Sequence, residues 1–114
     1  MKTKKEIREE YKLMKFRAGI FQINNKKDNK VFLKTTSDLD RAFNSDLFKL
    51  KAGMHSNREL QRDWNNLGAE NFEFKLFDEL KIKDTETPEY IKEELNELLE
   101  MHLTELKGNG QNLY

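Results

Sequence analysis

The sequence predicts an α+β domain: a three-stranded, mainly antiparallel sheet flanked by helices, with a helix at each end of the chain. Three observations predict it. Two short apolar runs separated by a polar Asn/Lys/Asp stretch read as a β-hairpin. The later Phe72, Phe74 and Leu76 alternate with Glu73 and Lys75, the period of a strand with one wet face. Four other segments repeat apolar residues at helical intervals, and a sheet with helices packed against it buries all these faces economically.

Each element has its own signal. Thr3 and Glu6 stand at capping-box spacing, and Ile7, Tyr11 and Met14 follow on one face, so residues 1–15 are expected to be an N-terminal helix. The domain proper is expected over 16–114. Its first strand is read at Phe16–Ile23, a turn at Asn24–Asn29, and a return strand over 30–36. Ser37 with Asp40 reads as an acidic capping box before Leu39, Phe43, Leu47 and Leu50, with Gly53 as the stop. Ser56 or Asn57 caps a second helix bearing Leu60, Trp64 and Leu67, ended by Gly68. The third strand is placed at 71–77. Thr87 and Pro88 open a last helix over 88–107, whose stripe runs Ile91, Leu95, Leu98, Leu99, His102, Leu103 and Leu106 to a stop at Gly108.

Composition narrows the function classes. The 114 residues suit one domain, and eight Phe and one Trp supply core material despite 37% charged residues. No cysteine is present, which removes disulfides, thiolate metal sites and thiol nucleophiles, and two histidines rule out a His-rich site. No run approaches the roughly 18 apolar residues of a membrane span, so no membrane partner is expected. The basic N-terminus has no apolar segment behind it, and a cytoplasmic location is the expectation. The net charge of zero conceals an asymmetry: residues 1–60 carry 15 Lys/Arg against 8 Asp/Glu, and the remainder reverses the balance. A basic half attracts phosphate, although a charge run is also simply a solvated face.

Particular residues then carry a resemblance. Gly19-Ile20-Phe21, followed by Val31-Phe32-Leu33-Lys34-Thr35-Thr36, is similar to the paired strands of GIY-YIG nucleases. Gly53-Met54-His55-Ser56-Asn57, Leu60-Gln61, Asp63-Trp64 and Gly68 to Phe74 resemble a bacterial branch of that family. The likeness covers about residues 16–107. It implies metal-dependent hydrolysis of a nucleic-acid phosphodiester: a tyrosine helping to activate water, an arginine stabilising phosphate charge, and a glutamate holding a divalent cation.

Position by position, the resemblance implies that this machinery has been replaced. The two motif tyrosines fall on Phe21 and Phe32, which have no proton to exchange. The glycine of the second motif is Lys34, and the arginine falls on Ala42. Arg41 is adjacent, but one helical step turns it about 100° from the Leu39/Phe43 face, toward solvent. The glutamate position falls on Leu99, with Glu100, the candidate metal ligand, one residue on and away from the apolar stripe.

His55 and Asn57 are candidates for contact with phosphate or a base edge, and equally for capping and bracing the second helix. Trp64 reads as a core anchor, with base stacking the other use. Lys34, Arg58 and Arg62, with Lys26, Lys27, Lys30, Lys49 and Lys51, are the cations available to a phosphate backbone. The leading expectation is a nuclease-like domain that binds nucleic acid, DNA in particular, weakly and without cleavage. The alternatives are a divergent endonuclease, which would need Mg²⁺ or Mn²⁺, and a protein-interaction module using an apolar patch at Phe21 and Phe32. Whether Glu100 faces the sheet surface that carries those two residues decides most between them.

Overall fold

The hairpin is set by one asparagine. In the computed structural model, which describes residues 17–81 and 86–114, β1 runs Gly19–Asn25 and β2 runs Lys30–Thr36. The Asn25 side-chain oxygen accepts from the backbone N–H groups of Lys27 and Asp28, and Asn29 takes the left-handed conformation at φ 51°. The first strand therefore extends two residues beyond the expected Ile23, because Asn25 acts as the turn's anchor while still in the ladder. The expected N-terminal helix over 1–15 lies outside the described residues.

α1 spans Leu39–Lys51 and α2 spans Arg58–Leu67. Asp38, not Ser37, caps α1: its side chain accepts from the Arg41 N–H. Thr36 decides this, since its hydroxyl accepts from the Asp38 N–H at 3.1 Å and holds that residue extended. Gly53, at φ 73°, closes α1 as expected. Asn57 caps α2 by accepting from the Leu60 N–H, and Gly68 ends it at φ 89°.

A short 3₁₀ turn, Ala69–Asn71, leads into β3, Phe72–Glu79, which pairs antiparallel with β1. The register shifts between Ile20 and Phe21, so that Phe21 faces Leu76 and Ile20 faces Asp78. Gly19 lies where a Cβ would come within 2.3 Å of the Asp78 carbonyl oxygen, so only glycine lets the two strands meet there. The last helix, α3, spans Pro88–Gly108 with Thr87 accepting from the Tyr90 N–H. Gly108 remains helical, and the chain turns at Gly110 instead, with φ 79°.

Beyond that turn, Asn112–Leu113 forms β4 and pairs parallel with Lys30 and Val31. The sheet is thus four-stranded and mixed, in the order β3-β1-β2-β4, rather than three-stranded. Two polar-flanked residues carry no alternation to announce a strand. Tertiary contact supplies it, for the Tyr114 N–H donates to the Val31 carbonyl.

The core lies between the sheet and the α1/α2 pair. Phe21, Ile23 and Phe72 from the strands meet Leu39, Leu50, Leu60 and Trp64 from the helices. No α3 residue belongs to that cluster. Strand alternation turns Ile20 and Val31 the other way, toward the face where α3 lies across β1 and β2.

Candidate functional site

The C-terminal end of β2 and the first two turns of α1 diverge around an open cleft of about 380 Å³. Lys34, Thr35, Thr36 and Ser37 form one wall, and Asp38, Arg41, Ala42, Ser45 and Asp46 form the other. Alternation along β2 puts Phe32 and Lys34 on one face with their cross-strand partners Ile23 and Phe21. That face is the one the helices cover, so the ammonium of Lys34 is brought against α1.

There it meets Asp46. The Lys34 Nζ lies 3.1 Å from Asp46 Oδ1, and the His55 Nε2 lies 2.9 Å from Asp46 Oδ2. Asp46 and His55 are both buried. The His55 Nδ1 accepts from the Asn57 N–H at 3.0 Å, which assigns the ring proton to Nε2 and makes it the donor to Asp46. The His55 N–H donates to Gln61 Oε1, and Gln61 Nε2 donates to the Leu50 carbonyl and to Asn65. Every buried polar group in this chain of contacts has a partner, which is the condition for placing it beside a core.

Those contacts settle the geometry of the sequence-selected residues. Phe21 is fully buried, edge-on to Phe43 with centroids 5.4 Å apart. Phe32 is half-buried and stands edge-on to the His55 ring at 5.4 Å. The apolar patch expected at these two residues is therefore not a surface. The large exposed apolar side chains near the cleft helix are Phe48 and Met54, at 70% and 72%. Ala42 packs against the core and also borders the cleft. Arg41 is exposed, as expected of a residue off the core face, yet it borders the cleft as well.

His55 is enclosed, and Asn57 is spent on the α2 cap. Arg58 and Arg62 are exposed on α2 and lie outside the cleft wall. Of the other cations, Lys30 is paired with Glu59 and sits 4.7 Å above the Tyr114 ring. Trp64 is buried against Phe72 and Phe74.

Glu100 is exposed on α3, a helix that packs on the sheet face opposite Phe21, Phe32 and Lys34. It forms no part of the cleft. The donor set in the cleft does not fit a bound divalent cation either: both Asp46 oxygens are engaged, and Asp38 caps α1. Among the described residues no group of three or more His, Asp or Glu side chains is arranged to hold a metal ion.

Asp46 escaped the sequence reading. Its signal was a carboxylate seven residues after Leu39 and four before Leu50, inside an apolar helical face where a charge needs a partner. The Tyr114 hydroxyl was also missed. It donates to Asp63 at 2.7 Å and accepts from Asn25 at 2.9 Å, and burial followed by the Asp63 contact pushes its acidity well below that of an ordinary tyrosine.

Two solved structures share this architecture. The catalytic domain of the homing endonuclease I-TevI superposes with a TM-score of 0.67 at 27% identity, covering 83% of this chain and 94% of that one. A glutamate-to-alanine mutant of the catalytic domain of the same intron endonuclease gives a TM-score of 0.67 at 26% identity, covering 85% and 91%. These likenesses support the GIY-YIG nuclease superfamily for this fold. No protein-family model and no curated protein matches it. GIY-YIG nucleases are generally dependent on a divalent metal. This chain presents a similar scaffold with a cleft in which the Asp46 carboxylate is paired to a lysine and a histidine.

Proposed function

We propose that this GIY-YIG domain binds nucleic acid in the β2/α1 cleft and does not cut it. One observation carries the reading: Asp46, the buried carboxylate at the cleft, has both oxygens committed to Lys34 and His55. A carboxylate so engaged neither holds a metal ion nor takes a proton from water. Phe21 and Phe32 supply no hydroxyl at the motif positions, and Ala42 supplies no charge. What remains is an open wall bearing Lys34 and Arg41, with Ser45 beside them. Cations and hydroxyls of this kind grip a phosphate backbone without reading its sequence.

Purified protein incubated with plasmid or single-stranded DNA and Mg²⁺ or Mn²⁺ should give no cleavage above background. Losing one electrostatic stabiliser alone slows such a reaction by about 10²–10³, and the base is missing too. Glu100→Ala, prepared identically, is the control. Cutting by the wild type but not by this variant would establish the divergent endonuclease and overturn the reading.

Fluorescence anisotropy with labelled DNA should show weak association that falls steeply as salt rises. Absence of binding even at low salt would transfer the proposal to a protein partner seated on Phe48 and Met54.

A further inference from the structure

We propose that Lys34 is the residue that contacts phosphate in this cleft, held in place from beneath by Asp46 and His55. The inference rests on the reading of the cleft as a nucleic-acid site and names the side chain that does the gripping. Strand alternation alone would send Lys34 into the helix-covered face, where an unpaired ammonium is costly. Asp46 makes the position tolerable, and the exposure of Lys34 then becomes informative. Its side chain remains 38% exposed while that of Asp46 is 2% exposed. An ammonium has three N–H donors, and Asp46 Oδ1 takes one of them at 3.1 Å. The others are left on the cleft side, where Lys34 forms part of the wall.

Asp46 and His55 are positioning residues. The His55 Nε2–H fixes the second Asp46 oxygen, and the Asn57 N–H fixes the histidine in turn. The Phe32 ring stands edge-on to that imidazole. The carboxylate therefore has no freedom to swing away, and the long lysine side chain is ordered before any ligand arrives. Less rotamer freedom is lost on binding when the cation is fixed beforehand. An incoming phosphate approaches from the open side and meets the ammonium before the carboxylate below it. Ala42 adds no polar atom across the cleft, whereas Arg41 and Ser45 flank the path.

The competing account is that Lys34 only neutralises Asp46. A cycle on the full chain separates the two, read by anisotropy of labelled single-stranded DNA across a salt series. Asp46→Asn keeps an acceptor for His55 while removing the charge and the acceptor beneath Lys34, so any contribution of Lys34 to binding that survives in it is not neutralisation of Asp46. Adding Lys34→Met to Asp46→Asn should weaken binding and reduce the log–log salt slope by ~0.7, the increment for one phosphate contact on a single strand. Lys34→Arg in the wild-type background should preserve the slope.

Equal affinity and equal slope for Asp46→Asn with and without Lys34→Met would overturn the inference while leaving the nucleic-acid reading intact. No binding by wild type or Asp46→Asn at low salt would overturn both. Thermal melts check that each variant is folded, and Lys34→Gln replaces Lys34→Met if the latter is not.

Discussion

On one face of the sheet, α1 and α2 bury Leu39, Leu50, Leu60 and Trp64 against Phe21, Ile23 and Phe72. On the other, the 21 residues of α3 contribute one fully buried side chain, Leu95. Ile91, Leu98, Leu99, Leu103 and Leu106 continue the expected stripe but are only half-buried. The polar groups differ in the same way. Under α1 and α2 they form a closed set, from Lys34 through Asp46, His55 and Gln61 to the Leu50 carbonyl. Among the described residues, the side-chain polar contact between α3 and the sheet is the 2.8 Å pair of His102 with Asp78, and it stays partly open to solvent. Close packing leaves no water to satisfy a polar atom, so the tighter face must supply every partner itself. The cleft inherits its order from that requirement: Lys34 is fixed because it borders the face where Asp46, His55 and Gln61 are all partnered.

The largest expected effect tests the tight face. Trp64→Ala should cost about 3–5 kcal/mol in urea melts, the range for emptying a large aromatic site in a core. The indole touches two strand aromatics, with centroids 5.3 Å from Phe72 and 6.5 Å from Phe74. A loss under ~1 kcal/mol would remove the contrast and return the indole to the list of base-stacking groups.

The loose face should respond less. Leu95→Ala should cost about 2 kcal/mol, the low end for a leucine, because half-buried neighbours relax into the space. Were it to match Trp64→Ala, α3 would have to count as part of the same core.

Smallest is the contact between the chain's last residue and the hairpin. Tyr114→Phe should cost about 1 kcal/mol at neutral pH, the net value of a hydroxyl contact, since Asn25 keeps Asp28 as an acceptor. Its titration gives a signature. The folded state holds the Tyr114 proton above the ordinary value of 10.0, so that stability is complete below about pH 10 and declines as pH rises beyond it. The phenylalanine variant should lose part of that alkaline decline. Identical alkaline melts of the two proteins would mean the hydroxyl is not held as described.

Much of this organisation was legible in the sequence because it is local. A helix start is decided within about four residues, and Asn57 and Thr87 cap the helices they were expected to cap. The alternation from Phe72 to Leu76 identified β3, and the polar stretch between two apolar runs gave the hairpin of β1 and β2. Ser37 was misplaced as a cap because the deciding bond comes from Thr36, upstream of the window that capping patterns inspect. The order of the GIY-like strands and the His-Asn-Leu-Gln-Trp block likewise stood in the sequence, with Phe21 and Phe32 in those strands.

The tertiary structure alone decided which side chains meet. Asp46 reaches Lys34 across 12 positions and His55 across 9, and Tyr114 reaches Asn25 across 89. None of these separations is a helical or strand period, so no window of sequence carries them. β4 exists only because the turn at Gly110 delivers Asn112 and Leu113 to the free edge of β2. The side of the sheet on which Glu100 lies was fixed in the same way, by how α3 docks rather than by the face of the helix its spacing assigned. Propensity and periodicity act between near neighbours along the chain, whereas a cleft is made of the places where distant segments fail to close.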